Sequence, residues 1–364
     1  MPAPVHLRGE GGVVNKFPRR LMMNSTHNRI LGRSGIAVSP MGLGCWAIGG
    51  AWTLNGSPAG WSSVDDAESV RAIHAALDLG VNFFDTAANY GCGHSEHVLG
   101  QAVKGRREKV VIASKFGYRV DEAAKAITTY GEMEEDSDAA GHVRADLEST
   151  LQRLGTDYLD AYLLHIWGHK IERALEARDL LEKLVAEGKV RTYGWSTDRT
   201  DAIRAFSTSP RCGVVEQQLS VLDGNAELLA LCEEWNLASL NRGPLGMGLL
   251  TGKFSPASSF DNDDVRRHAS WHPAFQNGKP TQDWLDKLES IRGVLTSGGR
   301  TLAQGALGWI WGRSRNTIPI PGFKTVKQVE ENCGAMTFGP LTPAQMDEID
   351  RILGRGRQVP PQRA

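Results

Sequence analysis

The sequence has few cysteines, almost no net charge and no long apolar run, and each absence excludes a class of protein. Its 364 residues include five cysteines without a CxxC pair, which argues against a disulfide framework. The formal net charge is −1, so no overall field attracts nucleic acid or an acidic membrane. No apolar stretch approaches the length that spans a bilayer. These absences predict a soluble, cytoplasmic protein that binds neither nucleic acid nor membrane.

The first 28 residues mix Gly, Pro, Arg and Asn without hydrophobic periodicity. They include basic residues but no continuous apolar core, so they do not resemble a signal peptide. We expect residues 1–28 to be a disordered extension. Residues 29–364 are then expected to form one domain, long enough to bury a large core without disulfides or metals.

From about residue 40 the sequence alternates short apolar runs with amphipathic helical patterns. The candidate strands are Met41–Cys45, Val81–Asp85, Lys109–Lys115, Leu159–His165, Val190–Ser196, Gly213–Gln217, Leu237–Arg242 and Asn316–Pro321. The helical patterns are Asp65–Leu79, Ser95–Val103, His142–Leu154, Ile171–Glu187, Ala226–Trp235, Leu302–Trp311 and Thr325–Cys333. Strict alternation implies parallel strands joined by right-handed crossovers. Eight such units predict an α/β fold, the (β/α)8 TIM barrel.

Several local signals refine this prediction. The segment Arg29–Ser39 reads as an N-terminal β-hairpin, and Thr342-Pro343 predicts an extra C-terminal helix over Pro343–Leu353. Gly155 is suited to end one helix and Ser95 to cap the start of another. Two connections, residues 118–141 and 255–280, are unusually long and follow the C-terminal ends of strands. We expect both to be lids over the active-site face.

Four polar residues fall at or just beyond the ends of consecutive predicted strands. Asp85, Lys115 and His165 each end a strand, and Tyr90 follows Asp85 by five residues. Neighbouring parallel strands lie about 5 Å apart, so these side chains can converge at one mouth of the barrel. Taken singly, each residue has a structural alternative: a helix-capping Asp, a solvated Lys or a hydrogen-bonded core His. Their joint placement favours a catalytic site.

These four residues are chemically suited to donating a proton to a substrate oxygen. A tyrosine hydroxyl has a pKa of about 10 and is a poor proton donor near neutrality. A neighbouring Lys115 ammonium should lower that pKa, with Asp85 holding the ammonium charged and oriented. His165 could hydrogen-bond a substrate oxygen. The result is a general acid beside a carbonyl, with no nucleophile and no metal.

Motifs along most of the chain carry a family resemblance. They are Gly42-Leu43-Gly44-Cys45-Trp46, Asn82-Phe83-Phe84-Asp85-Thr86-Ala87, Tyr90-Gly91, Ser114-Lys115, Arg153-Leu154-Gly155-Thr156-Asp157-Tyr158 and Leu163-Leu164-His165. From about Arg29 to Asn332 the chain resembles the aldo-keto reductase superfamily, in its bacterial branch related to the potassium-channel β subunits. The resemblance implies Asp85, Tyr90, Lys115 and His165 as the catalytic tetrad. It also implies hydride transfer from a nicotinamide dinucleotide to a small aldehyde or ketone.

The resemblance extends to the cofactor. The implied cofactor-binding residues are Gly44, Cys45, Trp46, Asp85, Ser196, Thr197, Glu216, Arg242, Gly243, Pro244, Leu245, Gly248, Leu250, Lys253, Ile320, Gly322, Lys324, Thr325, Gln328, Glu331 and Asn332. A glycine turn that opens a helix after Ile320 presents backbone N–H groups to phosphate. Lys324 adds a point charge suited to a 2′-phosphate, which favours NADPH and leaves NADH open.

Two residues depart from the family pattern. Arg242 stands where many members carry a tyrosine that stacks on the nicotinamide, and Glu216 stands where a glutamine usually holds the carboxamide. Ser220 likewise replaces a common asparagine. These departures leave open the reverse reaction, an NAD(P)-dependent oxidation of a sugar or alcohol. A nucleotide-binding regulatory barrel without significant turnover is a third alternative.

Trp46, Tyr90, His165 and Trp167 are the expected substrate contacts. Cys92, His94 and His97 could suggest zinc, but ligand types without established geometry are weak evidence, so no metal is predicted. The physiological substrate and the oligomeric state stay open at this stage.

Overall fold

The computed structural model describes residues 28–355. The predicted disordered extension therefore lies outside the described residues except for its last position. The one-domain prediction can be followed only across the described part of the chain.

Eight parallel strands form a barrel, as the sequence predicts. They are β1 Leu43–Gly44, β2 Phe83–Asp85, β3 Val111–Phe116, β4 Leu159–Leu164, β5 Val190–Ser196, β6 Cys212–Ser220, β7 Ala238–Arg242 and β8 Thr317–Pro319. Each strand pairs with the next along the chain. The backbone N–H groups of Gly42 and Gly44 donate to the carbonyls of Pro319 and Pro321 at 3.0 and 3.1 Å, which closes the cylinder.

Helices surround the barrel. They are α1 Asp66–Asp78, α2 His94–Val103, α3 Ala139–Leu154, α4 Ile171–Ala186, α5 Thr200–Phe206, α6 Ala226–Glu234, α7 Val265–His268, α8 Gln282–Leu295, α9 Leu302–Arg313, α10 Val326–Phe338 and α11 Pro343–Ile352. All predicted helical patterns are present, including the C-terminal α11, which opens with a capping box at Thr342. None of these described helices is long and apolar enough to cross a bilayer.

Of the two predicted helix ends, the one at Gly155 agrees with the structure and the one at Ser95 does not. Gly155 adopts φ 65° after α3, the left-handed conformation that ends a helix cheaply at glycine. The prediction that Ser95 caps α2 is wrong, because Gly93 occupies the cap and Ser95 lies inside the helix. Its hydroxyl instead donates to the carbonyl of Cys45 at 2.8 Å. That bond fixes α2 against the end of β1.

The predicted hairpin pairs Arg29–Ile30 with Ala37–Val38 and lies across the N-terminal end of the barrel. Gly32 at its turn has φ 51°, and a Cβ there would lie 2.2 Å from the carbonyl oxygen of Gly213. Only glycine allows this close approach to the barrel backbone. The active site is thereby left to the opposite, C-terminal face.

Both long connections contain secondary structure. The first holds a hairpin of Tyr118–Asp121 with Ala126–Thr129, which joins Thr53–Leu54 and Ser57–Pro58 in a four-stranded sheet. The second holds α7 and a short hairpin, and its Val265 N–H donates to Gly60 at 2.8 Å. Both leave the C-terminal ends of barrel strands, so they border the active-site face. Their role as lids stays a prediction.

Candidate active site

Lys115 brings three of the four predicted catalytic residues together. It lies on β3 with its side chain fully buried. Its Nζ donates to Asp85 Oδ2 at 2.7 Å, to the Thr86 carbonyl at 3.0 Å and to the Tyr90 hydroxyl at 3.2 Å. Because β2 and β3 are adjacent and parallel, the end of one strand and the loop after it meet the side chain of the other. The expected convergence is present in the structure.

His165 completes the group from the neighbouring strand. It directly follows β4, and its ring packs edge-on against Tyr90, with centroids 5.7 Å apart. Its Nδ1 is buried and has no hydrogen-bond partner among the described residues. Burial and the positive charges of Lys115 and Arg242 hold the pKa of His165 well below its ordinary value. The ring is therefore neutral at physiological pH and can offer one N–H to a ligand oxygen.

The acidity of Tyr90 differs from the sequence-based expectation. Burial raises the pKa of Tyr90 above its ordinary value, and this effect outweighs the downward pull of Lys115. Asp85 and Glu216 also oppose ionisation, because each adds negative charge near the phenol. The hydroxyl consequently stays protonated over the physiological range. Lys115 limits the rise in pKa rather than producing a net lowering.

Glu216 makes a contact that sequence reasoning did not anticipate. Its Oε2 lies 3.3 Å from Lys115 Nζ, and both side chains are buried. Ser196 donates to its Oε1 at 3.3 Å. In the structure Glu216 forms an ion pair with Lys115, and its predicted contact with the nicotinamide carboxamide stays a prediction. Sequence gave no signal for this pairing, because β3 and β6 are three strands apart around the barrel.

Lys115 is consequently shared by two carboxylates. Burial and repulsion from Glu216 raise the pKa of Asp85 to about 8, against the pull of Lys115. Burial lowers the pKa of Lys115, but Asp85 and Glu216 together raise it well above its ordinary value. Near neutral pH the Lys115 ammonium stays charged, and Asp85, with its raised pKa, holds a proton.

Arg242 also has an unexpected partner. Its guanidinium forms a salt bridge with Asp198 and donates to Gln218 Oε1 at 3.3 Å. Asp198 accepts a second bond, at 3.2 Å, from the indole N–H of Trp167. Asp198 thus holds a predicted cofactor residue and a predicted substrate residue together, and sequence reasoning missed it. Its position directly after the Ser196-Thr197 pair was the available signal.

Two of the expected substrate residues, Trp46 and His165, lie around the ring of a third, Tyr90. Trp46 is stacked near it, with centroids 6.1 Å apart, and His165 packs on its edge. The indole N–H of Trp46 is directed to Ala59. Trp167 has no ring contact with this group and is 51% exposed. The contacts of these residues with a substrate stay predictions.

Lys324 and Thr325 mark the opposite end of the predicted cofactor site, at the start of α10. Thr325 caps the helix, accepting from the Gln328 N–H at 3.3 Å. Lys324 donates through Nζ to the Ser62 carbonyl at 3.0 Å. Burial lowers the pKa of both Lys324 and Lys253, and the charge of Arg266 lowers both further, while Asp264 opposes the change. Cations placed close enough to repel one another fit an anionic ligand.

Glycines allow close backbone approaches and left-handed turns between these two ends. A Cβ on Gly44 would lie 2.8 Å from the Ile320 carbonyl oxygen, so the β1 and β8 ends approach closely. Gly243 and Gly248 adopt φ of 62° and 94° in the loop after β7, a conformation that glycine allows at low cost. His165 Nδ1 is buried without a hydrogen-bond partner among the described residues. The arrangement fits a dinucleotide with its reactive ring near Tyr90 and its phosphates near Lys324.

The remaining predicted cofactor residues border the same face. Cys45, Pro244, Leu245, Leu250, Asn332 and Thr197 are buried, while Gly322 is exposed and Glu331 is half-buried. Asn332 Nδ2 donates to the Gly322 carbonyl at 3.5 Å. These contacts support the loop after β8, and the contacts of the residues with a cofactor stay predictions.

The histidines near Cys92 pair with carboxylates. His94 lies 2.8 Å from Asp66, and His97 lies 3.6 Å from Glu122. In residues 28–355, no group of three or more His, Cys, Asp or Glu side chains is arranged to hold a metal ion.

The barrel and its buried Tyr–Lys–Asp group define a class of oxidoreductase, and comparison with known proteins agrees. The aldo/keto reductase family model matches residues 40–353. A probable aldo-keto reductase from Glycine max is 31% identical over 329 residues, covering 88% of this chain and 86% of its own. The aldo-keto reductase YhdN from Bacillus subtilis is 29% identical, covering 88% and 91%. The chain belongs to the aldo/keto reductase family.

Solved structures show the same architecture. A glycerol dehydrogenase from Gluconobacter oxydans superposes with a TM-score of 0.74 at 27% identity, covering 93% of this chain and 99% of its own. An aldo-keto reductase from Klebsiella pneumoniae, solved with NADPH, superposes with a TM-score of 0.63 at 26% identity, covering 91% and 97%. The barrel prediction is confirmed.

Proposed function

We propose that the protein is an NADPH-dependent oxidoreductase that reduces an aldehyde or ketone to an alcohol, with Tyr90 as the general acid. The observation that carries the proposal is the contact of the buried Lys115 ammonium with Asp85 Oδ2 and the Tyr90 hydroxyl at 2.7 and 3.2 Å. Family membership and the relative solved with NADPH support it.

Tyr90 delivers the proton in this mechanism. When bound, the dihydronicotinamide supplies a hydride to the carbonyl carbon. The Tyr90 hydroxyl gives its proton to the carbonyl oxygen as negative charge develops there. Lys115 stabilises the resulting phenolate through its 3.2 Å contact. His165, neutral and adjacent, donates its N–H to the same oxygen and orients it.

The cofactor would be held at both ends of the proposed site, near Tyr90 and near Lys324. Gly44, Gly322 and Gly243 would let the backbone approach the dinucleotide closely. Lys324, Lys253 and the N-terminus of α10 would bind its phosphates. Ser196 and Thr197 would face the nicotinamide side.

Oxidation of an alcohol is the second candidate. It is favoured by the buried Glu216 carboxylate 3.3 Å from Lys115 and by the similarity to a glycerol dehydrogenase. In this direction the same groups act in reverse: Tyr90, once deprotonated, accepts the hydroxyl proton, and the bound oxidised nicotinamide would accept the hydride from the alcohol carbon.

A two-direction substrate panel tests the function. Aldehydes, ketones and sugars are assayed with NADPH and NADH, and the matching alcohols with NADP+ and NAD+, by absorbance of the reduced cofactor. We expect turnover of at least one carbonyl with NADPH. NADP(H) binding without turnover in either direction would contradict an enzymatic function and favour a regulatory barrel.

Lys324→Glu tests the phosphate assignment. The change places a negative charge where the 2′-phosphate is proposed to bind, so NADPH affinity should fall roughly 10–100-fold while NADH affinity changes little. Fluorescence titration gives both dissociation constants. Lys327→Glu, on the exposed side of α10, is the matched control and should preserve the NADPH preference. Equal losses for NADPH and NADH in Lys324→Glu would refute the assignment.

A further inference from the structure

A buried cluster of two carboxylates and one ammonium lies beside Tyr90. The side chains of Asp85, Lys115 and Glu216 are 2%, 0% and 1% exposed. One lysine can neutralise only one of the two acids, so full ionisation leaves the cluster with one net negative charge. Such a charge is expensive in a water-poor interior unless another cation is nearby.

The reactive end of the cofactor must lie close to this cluster. Hydride and proton reach the two atoms of one carbonyl, so the nicotinamide C4 and the Tyr90 hydroxyl flank the same bond. That hydroxyl is 3.2 Å from Lys115 Nζ, which is 3.3 Å from Glu216 Oε2. The oxidised nicotinamide ring carries one positive charge and the reduced ring carries none. A negative cluster at this position therefore interacts differently with the two redox states.

From this charge arrangement, and resting on the proposed function, we propose that Glu216 determines the redox preference of the site. Its carboxylate makes the protein bind NADP+ more tightly, relative to NADPH, than the same barrel would with a neutral residue. The overall equilibrium of the reaction is unchanged. Where the cluster carries its negative charge, more of the enzyme then holds the oxidised cofactor, so the site is adapted to alcohol oxidation as well as carbonyl reduction.

The other charged groups around the site do not cancel this effect. Asp85 and Lys115 belong to the cluster. Arg242, from β7, forms a salt bridge with Asp198, so this pair adds no net charge. His165 is neutral and the Tyr90 phenol is protonated, so neither adds charge at neutral pH. A neutral isostere at position 216 therefore removes one negative charge from the cluster.

The preference depends on pH in a defined direction. While Asp85 holds its proton, the cluster is neutral. Above about pH 8, the pKa of Asp85, that proton is lost and the cluster becomes negative. Affinity for NADP+ relative to NADPH should therefore rise between pH 7 and pH 9. In Glu216→Gln one acid and one base remain, the cluster stays neutral, and the relative affinity should change little over this range.

The test measures cofactor binding to the full chain without substrate. Dissociation constants for NADP+ and NADPH are obtained by tryptophan quenching and NADPH fluorescence, at pH 7 and pH 9. At pH 9, Glu216→Gln should lower the ratio of NADP+ affinity to NADPH affinity by roughly tenfold, the effect of one charge at short range. Glu216→Asp, which keeps the charge, should retain most of the wild-type ratio. Glu176→Gln removes an exposed carboxylate on α4 and should leave the ratio unchanged.

The outcomes separate this inference from the proposed function. If the wild type binds both cofactors and Glu216→Gln has the same affinity ratio at pH 9, the role of Glu216 is refuted and the proposed function stands. If the wild type binds neither cofactor, the proposed function itself fails. Should Glu216→Gln not fold, a wild-type ratio that stays constant from pH 7 to pH 9 overturns the inference, and a rising ratio supports it.

Discussion

Tyr90→Phe is expected to lower kcat for carbonyl reduction by roughly 10²–10⁴-fold, the range that a positioned general acid contributes. The dissociation constant for NADPH should stay close to the wild-type value. The substitution removes the hydroxyl 3.2 Å from Lys115 Nζ and keeps the ring that packs against Trp46 and His165. Without the hydroxyl, the developing alkoxide has no adjacent proton donor. Steady-state kinetics and NADPH titration measure the two quantities.

Tyr118 offers a matched control for this experiment. Its ring also packs edge-on against His165, with centroids 5.9 Å apart. Its hydroxyl, however, donates to Glu134 at 2.6 Å and has no contact with Lys115. Tyr118→Phe should therefore retain most of the wild-type kcat. Wild-type turnover in Tyr90→Phe, or an equal loss in Tyr118→Phe, would contradict the assignment of Tyr90 as the proton donor.

The barrel could be predicted from the sequence because its signals are local. A strand such as Leu159–Leu164 is buried at every position, as expected when helices cover one face and the barrel interior the other. It therefore reads as an apolar run, interrupted only by Asp160, which forms ion pairs with Arg107 and Arg191. The amphipathic spacing of α3 and its glycine stop are equally local. The order of these elements along the chain then determined the topology.

The elements that were missed depend on contacts between distant segments. The strands Tyr118–Asp121 and Ala126–Thr129 are short, and they are stabilised by pairing with Thr53–Leu54. Helix α8 lies directly after a long irregular connection, which obscured its start. For the strands the information lies in a partner segment far along the chain, which a local pattern does not contain.

The same distinction applies to the active site. Asp85, Lys115 and His165 could be predicted because each ends a recognisable strand. The contact between Lys115 and Glu216 could not, since it depends on how side chains from β3 and β6 meet inside the closed barrel. Asp198 was missed for the same reason, because its partners Trp167 and Arg242 belong to other loops. The residue types of the site could be predicted from the sequence. The balance of their charges could be determined only from the closed barrel, where the side chains meet.

That charge balance leads to the second large expected effect. Lys115→Met should abolish turnover and lower the free energy of unfolding by about 3–5 kcal/mol, the usual result of removing one partner from a buried ion pair. Methionine is similar in length to lysine but leaves Asp85 and Glu216 buried without a cation. Urea unfolding followed by circular dichroism measures the loss.

The pH dependence of Lys115→Met has a defined sign. The pKa of Asp85 is about 8 in the folded wild type against an ordinary value of 3.8. The folded protein thus holds a proton that the unfolded chain releases, so the contribution of Asp85 to stability falls as pH rises from about 4 to about 8. Lys115 pulls that pKa downward, so its removal extends the fall to higher pH. The variant should be more destabilised, relative to wild type, at pH 9 than at pH 6.

A triple variant distinguishes uncompensated charge from lost packing. Asp85→Asn, Lys115→Met and Glu216→Gln together remove all three buried charges while keeping similar side-chain volumes. Replacing a whole buried ion group by neutral residues is often close to neutral for stability, so the triple variant should recover most of the stability lost in Lys115→Met. It should still lack turnover, because Tyr90 then has no neighbouring ammonium. If the triple variant were as unstable as Lys115→Met, the loss of stability would come from packing around the methionine. The uncompensated charges of Asp85 and Glu216 would then not be its cause.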